Sequence, residues 1–208
     1  MTRKIILFLC ILTWGRVLYA ASSLTLLPAS SLWLTGTSTL HPYASTSTLT
    51  HVVADLTSGN GVEATAPAGA VLSDIASRAP FQKFELMVPV KGLKSGESGL
   101  DKNMYKALKA TDAPEIRFVL NHYDATASGA EGPLSFKAAG QLSIAGVQKD
   151  VVLTGSAQAK AEGLTMEGQY ELRMSDYGIK PPTLLLGAIN VADPVVIHFR
   201  LLFQLSPA

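Results

Sequence analysis

The chain has 208 residues, 48% of them hydrophobic and 16% charged, with 17 basic side chains against 16 acidic. This is the composition of a globular protein rather than a disordered or collagen-like one, and so even a charge balance gives no electrostatic footing for a nucleic-acid partner. The length suits one domain preceded by a short targeting segment.

The targeting segment comes first. Met1-Thr2-Arg3-Lys4 leads into an apolar run from Ile5 to Trp14, with small residues at Ala20, Ala21 and Ser22. That order predicts a secretory signal peptide over residues 1–20, cut after Ala20, with a cut after Ser22 as the alternative. Gly15 and Arg16 interrupt the run, so it is too short for a membrane span of about 20 residues. Cys10 lies within it, preceded by Leu9 rather than by the small residue that a lipoprotein signal needs. The expected mature domain, 21–208, therefore holds no cysteine. It would work in the periplasm or outside the cell on the strength of its core, without a disulfide.

Strand patterns dominate the expected mature domain. Leu24 to His41, rich in Leu, Trp and Thr, reads as one or two strands, with Pro28 marking a break or an edge. Ala44 to Leu56 reads as another strand, closed by the turn signal Ser58-Gly59-Asn60-Gly61. The small, mixed residues from Val62 to Arg78, punctuated by Pro67 and Gly69 and followed by Pro80, read as a loop or an irregular edge. Alternation then becomes regular: Phe84, Leu86, Val88 and Val90 share one phase, and Ile116, Phe118 and Leu120 another. After a turn at Gly129 to Pro133 come Phe136, Ala138, Gly140, Leu142 and Ile144, then a tight hairpin over Gly146 to Asp150 and a return arm with Val151, Leu153 and Gly155 in phase. Leu164, Met166, Gly168, Tyr170, Leu172 and Met174 form the next face, and Val195, Ile197, Phe199, Leu201 and Phe203 the last. The glycines at 140, 155 and 168 fall in the inward phase and are expected to leave volume inside.

Between these strands, Ser98 to Ala110 stands apart as the one convincing amphipathic helix. Leu100, Met104, Ala107 and Leu108 follow a 3.6-residue period. Ser98 is the expected N-cap and Asp101 an acidic partner in the first turn, and Pro114 follows the stop. Lys102, Lys106 and Lys109 make a basic stripe, either simply solvated or suited to transient contact with an anionic lipid head or membrane surface.

About eight strands with one apolar face and a single short helix predict an all-β fold: an antiparallel sheet closed into a barrel, since closure buries one face and removes the edges. A barrel of that size can hold one small ligand. The helix stripe would cap one open end.

The motif order LKSGESGLDKNMYKALKATDAPEIRF, GQLSIAGVQKDVVLTG, LRMSDYGI and VVIHFRL, after an opening GTSTLH, resembles the YceI-like family over about Trp33 to Phe203. The resemblance implies a lipocalin-like periplasmic barrel that binds polyisoprenoids or other long-chain amphiphiles. The chain departs from the usual pattern at Pro42-Tyr43, where many relatives have Asp-Trp, and at Met174, where the family often has arginine. A bound tail is therefore better supported than any particular head group.

The residues expected to line a tunnel are Phe84, Leu86, Val88, Phe118, Leu142, Ile144, Leu153, Tyr170, Leu172, Ile197 and Phe199, with Leu100, Met104 and Leu108 on the helix. His41 and Tyr177 are candidates for the mouth, touching a head group; for His41 a turn-fixing role is an equal alternative. The four histidines show no metal-site spacing, and those at 51 and 198 fall on the polar phase, where solvation is the plain expectation. No acid pair or nucleophile motif calls for catalysis, and no cofactor is expected. The expected function is carriage of a long-chain isoprenoid or fatty amphiphile by a monomer or homodimer; the alternative is a filled-core envelope or stress-related module that acts through its surface.

Overall fold

A computed structural model describes residues 22–47, 49–56, 68–78, 81–128, 132–160, 163–184 and 188–207. The expected signal peptide, the turn at Ser58 to Gly61, the stretch 62–67 and the middle of the turn at Gly129 to Pro133 lie outside these residues. The strands are β1 (Ser22–Leu26), β2 (Ser31–Ser38), β3 (Pro42–Ser47), β4 (His51–Leu56), β5 (Phe81–Pro89) and β6 (Leu93–Lys94). They continue with β7 (Glu115–Ala127), β8 (Leu134–Ile144), β9 (Val147–Lys160), β10 (Gly163–Arg173), β11 (Thr183–Leu184) and β12 (Ile189–Pro207). Two helices, α1 (Ala68–Arg78) and α2 (Ser98–Ala107), accompany them.

All pairings are antiparallel, and they close a ring of eight staves. Three staves are each made of two strands in line. β1 and β2 both lie along β12, from Ser22↔Pro207 to Leu26↔Phe203 and from Arg200↔Ser31 to Val191↔Ser38. β4 and β3 form the next stave, paired to β1 at Ser23↔Asp55 and to β2 from Leu32↔Ser47 to Thr37↔Pro42. β5 and β6 form the third. The remaining five, β7 to β10 and β12, complete the barrel. Two of the breaks have a local cause. Pro28 interrupts the first stave, where Ser30 Oγ instead accepts the Leu202 amide at 3.0 Å, and Pro89 supplies no N–H before a one-turn 3-10 segment, Val90–Gly92.

The hairpin between β8 and β9 turns earlier than expected. Ala145 and Gly146 both have positive φ, 51° and 83°, and Ile144 faces Val147, so the loop is the two-residue primed turn that suits strand twist.

The largest departure is α1. The stretch expected as a loop contains a helix whose Val71, Leu72 and Ile75 are buried among Leu56, Leu134, Leu164 and Phe203. Its apolar face holds just three large residues among Ala, Gly and Ser, too faint a stripe to stand out, and the helix is held by burial against the barrel end. Tyr123 anchors it by donating its hydroxyl to the Ile75 carbonyl at 2.9 Å.

The expected helix forms as α2 at the other end, yet none of its residues is fully buried. Met104, Ala107 and Leu108 lean on the strand ends near Leu93, Ile116 and Phe118, and Leu100 is half-buried without joining a core cluster. Its N-cap is Glu97 rather than Ser98. Asp101 instead accepts the Ser95 amide and hydroxyl at 2.8 and 2.6 Å, which holds its carboxyl below the usual range.

Candidate functional site

Directly opposed residues in an antiparallel pair share a face, so the register decides what points inward. Phe118 faces Leu142, Phe136 faces Gly155 and Phe199 faces Gly168. Of these, Phe118, Leu142, Phe136 and Phe199 join Phe84 and Leu86 of β5 in lining a cavity of about 150 Å³. It reaches from Ile75, Leu134 and Met166 at the α1 end to Leu93, Ile116 and Ile144 at the α2 end. Small volume spread over the length of the barrel means a narrow slot. Phe84, Leu86, Phe136, Ile197 and Phe199 point inward yet remain half-exposed, because they border this space.

The lining is apolar throughout apart from two tyrosines. Burial raises the pKa of Tyr123, whose hydroxyl is committed to α1. Burial, helped by the Asp176 charge, raises that of Tyr170. Such a space can bury hydrocarbon; none of the lining residues is poised to move a proton near neutral pH. Among the described residues no group of His, Cys, Asp or Glu could hold a metal ion.

Of the expected tunnel residues, Phe84, Leu86, Val88, Phe118, Leu142, Ile144, Leu153, Tyr170, Ile197 and Phe199 line the slot. Leu172 packs instead beside Val151, Tyr177 and Val195 in the core at the α2 end. Leu100, Met104 and Leu108 do not reach the lining. His41 sits exposed at the β2–β3 turn, its Nδ1 donating to the Pro42 carbonyl at 2.7 Å, while Tyr177 is 1% exposed within the core.

The sequence pattern misled on the glycines. A Cβ on Gly140, Gly155 or Gly168 would meet the ring of Phe118, Phe136 or Phe199 at 2.7, 2.6 and 2.4 Å. The glycines do not leave empty space; aromatic rings occupy it. Nor is His198 merely solvated: it stacks on Trp33 at 5.0 Å on the outer face and shares a 3.1 Å hydrogen bond with Thr35. Absent from the expected lining are Ile75 of α1 and Leu134, Phe136 and Leu201, which close the slot at that end; Phe136 and Leu201 stood on the expected apolar faces, but α1 left little trace.

A closed eight-stave barrel with an apolar lumen is a lipocalin-like architecture. The sequence matches the YceI-like domain over residues 38–203, and the chain belongs to the YceI-like family. Similar solved structures include a polyisoprenoid binding domain from Saccharophagus degradans implicated in plant cell wall breakdown, 14% identical with a TM-score of 0.61 over 89% of this chain and 98% of that one. BcnA of Burkholderia cenocepacia is 13% identical, with a TM-score of 0.59 over 85% and 96%. The Campylobacter jejuni YceI protein is 17% identical, with a TM-score of 0.53 over 78% and 84%. At these identities the likeness is one of fold. No curated protein matches the sequence. Among the described residues no helix is long and apolar enough to cross a membrane.

Proposed function

We propose that this protein is exported through the 1–20 signal peptide and carries a long-chain isoprenoid or fatty amphiphile, tail inward, in the slot of its barrel. The observation that carries the reading is the lining from Ile75 to Ile144, apolar apart from Tyr123 and Tyr170. The name of the Saccharophagus relative, a polyisoprenoid binding domain, supports it. Each buried methylene yields about 0.8 kcal/mol, so ten carbons give a gross gain near 8 kcal/mol before the cost of immobilising the ligand. A cavity near 150 Å³ takes a body of roughly benzene size as it stands, so a long tail must push lining side chains aside. Half-exposed rings such as Phe136 and Phe199 are the ones with room to turn.

The two ends differ in how firmly they are closed. α1 is buried and anchored, whereas α2 rests on partial contacts and a polar latch: Tyr105 donates its hydroxyl to the Leu93 carbonyl at 2.7 Å and accepts from Lys94 Nζ at 2.8 Å. Uptake and release belong to the α2 end, with the exposed Lys102, Lys106 and Lys109 facing an anionic membrane surface during delivery.

Native mass spectrometry of protein purified from its own compartment, with solvent extraction of the same sample, tests the reading. A stoichiometric added mass recovered as a lipid supports it. A clean apo mass, together with no binding of added prenyl or fatty ligands, would sink it in favour of a barrel that works through its surface.

A further inference from the structure

The barrel wall opens along the seam between β9 and β10. β9 and β10 pair from Gly163↔Lys160 to Gln169↔Thr154 and then part, although β10 runs on to Arg173 and β9 begins at Val147. Beyond that point each strand stays paired on its far side, β9 to β8 and β10 to β12. The gap is a cleft of about 410 Å³ near the α2 end. Its inner part is built from the buried Val151, Leu172 and Tyr177. Its rim carries the exposed Lys149 and Arg173 against Asp150, Glu171 and Asp176.

Two features tie this cleft to the slot. Tyr170 lines both spaces, so it forms the partition between them. Tyr177, 1% exposed, has a hydroxyl with no hydrogen-bond partner among the described residues. A buried hydroxyl left unpaired has lost its water without compensation, and an incoming acceptor would recover that loss. Burial pushes its pKa up to about 12, so it stays a donor across the physiological range.

We infer that the β9–β10 cleft is the head-group site of the carried amphiphile, that the Tyr177 hydroxyl donates to its polar oxygen, and that the head is uncharged, such as an alcohol, carbonyl or amide. Two cationic against three anionic side chains around the cleft offer no net attraction to a phosphate or pyrophosphate. An uncharged oxygen that accepts one hydrogen bond beside Val151 and Leu172 matches what is present. The inference rests on the carrier reading and adds to it a place and a selectivity.

The test uses the full mature chain with three C20 probes sharing one branched skeleton: geranylgeraniol, geranylgeranyl pyrophosphate and the hydrocarbon phytane. Bound ligand is quantified by mass spectrometry after gel filtration across a titration. The expected result is the alcohol bound about tenfold more tightly than the pyrophosphate. Tyr177→Phe should weaken the alcohol about fivefold, the worth of a neutral hydrogen bond, while leaving phytane unchanged. Deleting an unpartnered hydroxyl should not lower the melting temperature, which confirms that the variant is folded. As an independent arm on the exposed rim, Asp150→Lys should raise pyrophosphate affinity. Equal binding of alcohol and phytane with no effect of Tyr177→Phe overturns the head-group site and leaves the carrier standing. Pyrophosphate binding as tight as the alcohol overturns the uncharged head. Failure of all three probes, phytane included, removes the carrier reading itself.

Discussion

Phe199 of β12 lies over Gly168 of β10, its directly opposed partner; a Cβ on the glycine would come within 2.4 Å of the ring and 2.5 Å of the Thr154 carbonyl oxygen. Phe136 lies over its opposed partner Gly155 in the same way, while Phe118 reaches diagonally over Gly140, whose opposed partner is Leu120. Seating rings over glycines draws them toward the wall, where a bulkier neighbour would push them toward the axis. A lumen survives although the lining is rich in Phe and Leu.

Gly168→Ala should therefore destabilise the fold by about 2–3 kcal/mol through overpacking against both ring and backbone. Chemical denaturation reads the loss. Adding Phe199→Leu should recover the part due to the ring, and a fully additive double mutant would show that the ring does not rest on the glycine.

Ile197 is half-exposed inside the barrel and lines the slot. Ile197→Trp should fill free space at a stability cost within about 1–2 kcal/mol, while reducing uptake of a C20 tail about tenfold. A thermal melt beside a binding titration separates the outcomes: a large stability loss with unchanged uptake would mean that the slot is not where the tail goes.

The two helices should respond differently. Ile75→Ala on α1 removes a buried side chain and should cost about 2–4 kcal/mol of global stability. Tyr105→Phe on α2 removes the hydroxyl on Leu93 and should cost about 1 kcal/mol or less. Hydrogen exchange across 98–108 should nonetheless quicken in that variant, and ligand release with it. Unchanged exchange would show that the latch does not hold α2.

Glu85 is 4% exposed on the outer phase of β5, bonded to Arg117 and 3.2 Å from Lys83. The Arg117 guanidinium, helped by Lys83, holds its carboxyl below the usual carboxylate range against the opposing effect of burial. A folded value below the unfolded one, about 4.3, gives a stabilisation that is complete above that pH. It is lost as pH falls through the folded value. Glu85→Gln should flatten the stability–pH curve in that acid window, measured by denaturation between about pH 5 and 3. Asp101 and Asp193, also depressed by hydrogen bonds from Ser95 and Ser175, should leave a residual slope. A curve as steep as that of the parent protein would show that Glu85 has no part in it.

The set of inward residues and the closure of the sheet were both legible in the order of amino acids alone. A period of two along Phe84–Val88, Phe118–Leu120, Leu142–Ile144 and Ile197–Phe199 puts one face in the core whatever the neighbours are, and eight such faces with few helices must close on themselves. The helix α2 was legible too, since its stripe repeats within ten residues. Tertiary structure decided the rest. α1 has three large apolar residues amid Ala, Gly and Ser, so its helix follows from burial against the barrel end rather than from its own pattern. Whether a glycine means space or a seat for a ring depends on which strand lies opposite, and alternation carries no register. The parting of β9 from β10, with Tyr177 buried beside it, has the same origin: each strand is individually regular, and only their separate pairing to β8 and β12 pulls the seam apart.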